Sequence, residues 1–585
     1  MEDNTLQKKG LLGNFLNGKF WNSKSTSANV SRSELWLGYV AGPFGVMLLQ
    51  SIVNSYFNQY LTDVLGFTVS RGAWIAIFMV WFPILSKLID AGTNLLMAKL
   101  LDLTTCRQGK LRPWFILSLP IIVISILLMF WIPVQGVVVQ AIWIVVSYNL
   151  FYSVGYTMWY MAYEMSASLS TRNVKQRATN SMAGQITKNM GTGIISITFP
   201  LILTGICSLV GGENQQGYLL TMAIICCIAV PLTFLQYFYT RERVTEERRN
   251  QFQGSTEAQK VEEASFLTQL KACLKDKYWI MLIIMILVYQ VLNALKTVSQ
   301  VYYSGWVVQG NSYGTYATIQ ARFTMIAMAP MGPALFVVVP MIRKLGRRIT
   351  MIIGGVMSIL GSGVAFMMAG HTAAVYGGTA ISGIGTMFFM YSINTFIGDS
   401  IDHVEYSQGI RAEGITAALV GFVHSFSNGI GQGLFNLGLL IAGYTTPVQI
   451  GTDANGVALY ADQTAAATTW INFSYQGAFV LMGLLFFVLF AFFNDIEAKM
   501  PTVHDALQEK KRAECEAMGI EYIPAQERER MEKEAQKAEA EENRILELKE
   551  YCAKHGKDFD TENQKVLDKR AKKAAKKAAR KARKK

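Results

Sequence analysis

The sequence predicts an all-α polytopic membrane protein: twelve transmembrane helices in two six-helix halves, followed by a soluble, charged helical tail. Three observations carry this. Hydrophobic residues make up 51% of the 585 and the mean hydropathy is +0.26, more apolar surface than a water-soluble fold of this length would bury. Apolar stretches of the roughly 20 residues needed to cross a bilayer as helix recur along the chain. The charges, meanwhile, gather in alternate connections and at the C-terminal end.

The expected spans are 35–62, 73–98, 114–133, 137–163, 183–209, 218–240, 278–305, 318–342, 349–369, 373–397, 413–442 and 471–493. Residues 1–33 are polar and lead directly into the first, so they read as an N-terminal cytoplasmic segment with no cleavable signal. Residues 34–240 form one half and 278–496 the other. Between them 241–277 is a polar linker, and 497–585 is the charged tail. Basic clusters (Arg107/Lys110/Arg112, Arg172/Lys175/Arg177, Arg241/Arg243/Arg248/Arg249, Arg343/Lys344/Arg347/Arg348, Arg411) all follow even-numbered spans. The other connections are nearly free of Lys and Arg; the longest, 443–470, carries Asp453 and Asp462. The positive-inside bias then puts both termini in the cytoplasm of a cell-membrane protein.

The halves repeat. Gly109-Lys110-Leu111-Arg112 follows the second span of the first half, and Leu345-Gly346-Arg347-Arg348 the second span of the other. The net charge of +13 is concentrated in these connections and in the tail, whose end KRAKKAAKKAARKARKK suits anionic lipid or simply a solvated cytoplasmic tail. No specific nucleic-acid partner is expected. The seven cysteines are scattered, without zinc spacing or a disulfide framework. Neither a phosphate-binding glycine loop nor a nucleophile–base arrangement stands out, so no enzyme, metal or cofactor is expected.

Polar residues inside spans are costly and mark pathways or interhelical seams. Asp90 lies one helical turn from Lys87 and one from Asn94. In span 1, Gln50, Asn54 and Asn58 recur every four residues; in span 7, Tyr289, Asn293, Lys296 and Gln300 share a face. Such faces point to a wet cavity or hydrogen-bond across helices. His424 is the histidine well inside a span, serving a proton path or packing.

Several motifs carry a resemblance. Asp90-Ala91, Asp102-x-Thr104 and Gly109-Lys110-x-Arg112-Pro113-Trp114 follow one pattern; Tyr163 with Arg177, Val301-Tyr302-Tyr303, and GDSIDHVEYSQGIRAEG from Gly398 to Gly414 follow others. Together, over roughly residues 35–495, they resemble the glycoside–pentoside–hexuronide cation symporters, the melibiose permease-like branch of the major facilitator superfamily. The resemblance implies a secondary active transporter moving a sugar or glycoside, including hexuronides, by alternating access with H⁺ or Na⁺. It implies cation coupling at Asp90 and Asn94, although many members carry a second acid where Asn94 stands. It also implies a cytoplasmic gate of Arg177, Arg343 and Arg411 with Asp399, Asp402 and Glu405.

Acids that the pattern places in spans 1 and 4 and a lysine in span 11 fall here, without gaps, on Met47, Trp159 and Ser425. An arginine of span 5 falls on Gln185, with Lys188 a turn deeper. The substrate contacts expected on the polar faces are therefore Gln50, Asn54, Asn293, Lys296 and Gln300, with Trp159 as a stacking or a packing ring. Two alternatives stand beside symport: an uncoupled facilitator, and a non-transporting sensor or scaffold that presents the tail.

Overall fold

A computed structural model describes residues 30–104, 109–171, 174–211, 214–242, 266–410, 412–454, 457–493, 495–517 and parts of 530–570. Among them, ten helices are long and apolar enough to cross a membrane: Glu34–Val64, Ala73–Leu101, Arg112–Phe130, Val137–Ser170, Gly193–Val210 and Gln215–Tyr239 in the first half, and Lys277–Trp306, Lys344–Met367, Thr372–Met390 and Ala465–Phe492 in the second. Spans 8 and 11 complete the twelve. The eleventh, Glu413–Ala442, is a continuous 30-residue helix whose glycines, serines and His424 dilute its hydropathy.

Span 8 differs from the uninterrupted 318–342 expected from sequence. It is broken between Tyr316–Met328 and the helix beginning at Met331. Pro330 and Pro333 cannot donate a helical hydrogen bond, so the ladder is interrupted here although Ala329 and Pro330 keep helical dihedrals. Span 10 is longer than expected and runs from Thr372 to Gln408. It stops where Gly409 turns left-handed at φ 71° and donates to the Glu405 carbonyl. The acids at 399–405, expected in a loop, thus ride on a rigid extension of span 10. The 443–470 connection folds into an antiparallel hairpin, β1 (Gln449–Thr452) with β2 (Ala458–Tyr460).

The halves meet along spans 2 and 11, 5 and 8, and 1 and 7. Spans 2 and 11 approach through glycine: a Cβ on Gly433 would lie 2.6 Å from the Val80 carbonyl oxygen, and one on Gly429 2.7 Å from that of Pro83. With no hydrophobic drive between helices in lipid, such close backbone packing supplies the contact energy. Asn436 Nδ2 donates to the Met79 carbonyl at 2.8 Å across the same seam.

Each half closes on itself at the end bearing the basic turns. Glu242, just after span 6, accepts the backbone N–H groups of Lys110 and Leu111 at 2.8 Å and of Arg112 at 3.1 Å. Glu497, just after span 12, accepts those of Arg347 and Arg348 at 2.8 Å. The helix Ile496–Ala517, which carries Glu497 in its first turn, lies against the second half and buries Ile496, Met500, Val503 and Leu507 in its core.

Candidate transport pathway between the halves

Span 4 begins as helix Val137–Asn149, passes through a π stretch, Leu150–Tyr156, and continues as helix to Ser170. A π turn inserts a residue and re-aims the side chains that follow, and such turns cluster at functional sites. Here it delivers Tyr152, Tyr156 and Tyr160 as one stripe. The rings of Tyr156 and Tyr160 stack at 5.3 Å and 18°, and both remain partly exposed. Tyr152 donates to Asn54 Oδ1 of span 1 at 2.5 Å. Lys188 of span 5 donates to the Tyr160 hydroxyl at 3.2 Å. The stripe therefore connects spans 1, 4 and 5.

The polar stripe of the second half belongs to span 7. Asn293 is exposed, while Lys296 and Gln300 are partly buried. The Lys296 ammonium sits over the rings of Phe479, 3.8 Å from its centroid, and of Tyr475, 5.1 Å away, a cation–π arrangement. Gln300 donates to Thr324 Oγ1 at 2.8 Å. One turn from Asn293, Gln290 Nε2 lies 2.5 Å from His424 Nδ1, so spans 7 and 11 share this wall. His424 is solvent-exposed and within electrostatic range of Lys188, across the boundary between halves. Glu164, exposed one turn beyond Tyr160, lies within range of Lys188 too.

Asp90 is buried, unlike Tyr156, Tyr160 and Asn293. Lys87 and Asp90 are 6% and 5% exposed and form an ion pair at 2.7 Å. Ser153 donates to the other carboxylate oxygen, and the Lys87 ammonium lies 3.7 Å from the Tyr152 ring centroid. Thr157 donates to Asn94 Oδ1 at 3.2 Å. Among the described residues Lys296 makes no ion pair with Asp90; the acid is neutralised within its own helix.

The remaining expected substrate contacts divide. Gln50 and Asn54 are partly buried, a turn apart on span 1. Asn58, a turn further on, bonds the Tyr302 hydroxyl at 2.9 Å and belongs to a contact between halves. Trp159 points away from the stripe. It is wholly buried, donates to Gln236 Oε1 at 2.8 Å and stacks on Tyr163 at 5.0 Å, because a buried indole N–H must find an acceptor. On the stripe the partly exposed rings are Tyr156 and Tyr160, and the Y-x-x-x-Y-x-x-x-Y spacing was their signal in the sequence.

At the basic-turn end, Asp399 forms an ion pair with Arg347, its neighbour within the second half. Burial pushes the Asp399 carboxyl up, against the pull of Arg347. Asp402 lies 3.5 Å from His504 of the helix beyond span 12. Arg177 donates to the Thr171 carbonyl at 3.1 Å, and Glu405 holds the end of the span 10 extension through its backbone. Arg411 and the Arg343 side chain lie outside the described residues. Sequence reasoning passed over Arg347 as Asp399's partner, and also Glu242 and Glu497. The signal for the two glutamates was an acid at the same place after the last span of each half.

Comparison with known proteins agrees with this architecture. The model of the MFS/sugar transport protein family matches residues 38–495. The chain belongs to that family. Among its relatives is the isoprimeverose transporter of Lactiplantibacillus pentosus, 27% identical over 418 residues that cover 69% of this chain and 80% of the relative. Another is the glucuronide carrier protein homolog of Escherichia coli K12, 23% identical over 70% of this chain and 82% of its own. A solved D-xylose–proton symporter shares the fold at a TM-score of 0.53 and 12% identity, over 80% of this chain and 98% of that one. Family membership and the apolar helices make this a multi-pass membrane protein of the major facilitator superfamily, in the branch that the motifs indicated.

Proposed function

We propose that this protein carries a sugar or glycoside across the cytoplasmic membrane by alternating access, in symport with H⁺ or Na⁺, with both termini in the cytoplasm. What supports the reading is a polar and aromatic face in each half: the Tyr156–Tyr160 platform of span 4, bonded to Lys188, and the Asn293–Lys296–Gln300 stripe of span 7. A sugar ring offers apolar C–H faces to aromatic rings and hydroxyls to amides. Asn54, Asn293 and Gln300 supply both donor and acceptor. The name of the isoprimeverose transporter is in keeping with a glycoside.

The basic side chains also favour an acidic sugar within that class. Lys188 lies in electrostatic range of His424 and of the exposed Glu164, and Lys296 sits on the span 7 stripe. A partly desolvated ammonium gains from an anionic partner, and a uronate carboxylate reaching Lys296 would provide one.

One observation favours an uncoupled facilitator as the second reading. Asp90, the expected cation site with Asn94, is already paired with Lys87. Uptake of labelled sugars into proteoliposomes, with and without imposed H⁺ or Na⁺ gradients, separates the readings. Concentrative uptake supports symport, equilibration supports the facilitator, and absence of any uptake overturns transport. Competition by uronates against their neutral counterparts, in the natural protein and in Lys296→Gln, tests the acidic preference. Equal competition by both would refute it.

A further inference from the structure

Span 1 ends in a π stretch, Tyr60–Val64, that carries an acid used by neither the polar stripe nor the motifs. The Asp63 carboxylate accepts three hydroxyl bonds. Thr62 and Tyr444 donate to Oδ1 at 2.8 and 3.0 Å, and Tyr313 donates to Oδ2 at 2.5 Å. Thr62 is its own neighbour. Tyr313 and Tyr444 belong to the other half, on the connection after span 7 and just past the end of span 11.

The bonds behind these run one way. Asn58 Nδ2 donates to the Tyr302 hydroxyl at 2.9 Å, which faces Thr62 Oγ1 at 2.8 Å. Gln59 Nε2 donates to the Tyr313 hydroxyl at 3.2 Å. With the Thr62 proton on Asp63 at 2.8 Å rather than on the Gln59 carbonyl at 3.3 Å, Tyr302 donates to Thr62. Every hydroxyl in the set thus passes a donor forward, and the carboxylate is the acceptor on which all the chains end. Among the described residues no ion pair involves Asp63, so this sink is balanced by neutral donors, the three hydroxyls and the Gln59 amide.

The donors are braced from behind by their own half. Tyr313 stacks on Trp306 at 4.9 Å and meets Tyr460 of β2 edge-on at 4.9 Å. Tyr302 packs on Phe435 and Tyr444 at 5.0 and 5.5 Å. This packing ties them to the second half. Deeper along span 1, Gln320 of span 8 donates to the Tyr56 hydroxyl at 2.7 Å.

We propose that Asp63 is the lock of the gate at the hairpin end: the carboxylate that gathers the second half's hydroxyls onto the first half when that end closes and releases them when it opens. The proposal rests on the alternating-access reading, yet its test needs no substrate. Replace the native cysteines, place one at Ser196 (buried beside Tyr56), and follow its labelling by a membrane-impermeant maleimide added from the hairpin side of sealed vesicles. Asp63→Ala and Asp63→Asn should raise the labelling rate roughly five-fold or more, since an amide brings donors to a place already supplied with donors. Tyr313→Phe combined with Tyr444→Phe should do the same while leaving Asp63 in place. A cysteine at the exposed Gln449 should label equally in all of them and so reports insertion. Unchanged labelling at Ser196→Cys in Asp63→Ala and in the double phenylalanine variant would overturn the lock. Raised labelling in a protein that takes up no sugar would uphold the lock and overturn the transport reading.

Discussion

The two halves close their basic-turn ends with the same device built to different tolerances. In the first, Glu242 gathers three backbone N–H groups around Gly109, and the Arg112 guanidinium donates to the Tyr237 carbonyl through Nε at 3.2 Å and Nη2 at 3.0 Å. In the second, Glu497 gathers two N–H groups, and Arg348 donates to Phe490 and Ala491 at 2.8 and 2.7 Å. Both turns need glycine, at φ 117° for Gly109 and 83° for Gly346. The difference is burial. Arg112 is 1% exposed, whereas Arg348 is only partly buried and its neighbour Arg347 reaches sideways to Asp399. The first latch reads as a permanent staple. The second is joined to span 10 and to the helix after span 12, where a moving element would be connected.

The largest effect should come from the buried arginine. Arg112→Ala strands the Tyr237 carbonyl and leaves Glu242 beside an uncompensated space. A cost of about 3 kcal/mol is expected, as for other broken buried charge networks. Arg348→Ala removes equivalent bonds nearer to water and should cost about 1–2 kcal/mol. Thermal unfolding of the detergent-solubilised protein checks both. Equal destabilisation by the two would end the distinction between staple and linked latch.

Next in size is the exchange of acid for amide. Glu242→Gln keeps one carbonyl oxygen for three donors and loses the charge that strengthens each bond, so about 1–2 kcal/mol is expected. Glu497→Gln has two donors to satisfy and should cost about 1 kcal/mol. Its effect on transport should exceed its effect on stability, through Arg347 and Asp399. If uptake falls in step with stability in both variants, the second latch has no special link to span 10.

The repeat that supports this comparison was half legible in the sequence. Periodic apolar runs and the basic glycine turns foretold the spans and the pairing of halves, because both follow from local composition. The glutamates completing each turn stand 132 and 150 residues from the N–H groups they accept, and no local pattern links such positions. The site divides in the same way. The stripes of spans 1 and 7 were readable from helical spacing, while spacing left Trp159 open between stacking and packing, since its partners Gln236 and Tyr163 are not set by local pattern alone. Asp90 and Lys87 were visible as neighbours; that Ser153 and Tyr152 would enclose them was not.

The smallest effect is expected at His504, and it sharpens the comparison by its size. The helix Ile496–Ala517 follows the second latch and could be held by charge or by burial. His504 lies 3.5 Å from Asp402, but the two side chains are 52% and 28% exposed, and exposed pairs of this kind contribute about 0–1 kcal/mol. Met500, Val503 and Leu507 are instead buried in the second half's core, at 4%, 1% and 6% exposure. Leu507→Ala should therefore cost about 2 kcal/mol and speed proteolysis of the tail, while His504→Ala should change neither measurably. Were His504→Ala to release the helix as readily as Leu507→Ala, the contact with Asp402 would be its attachment.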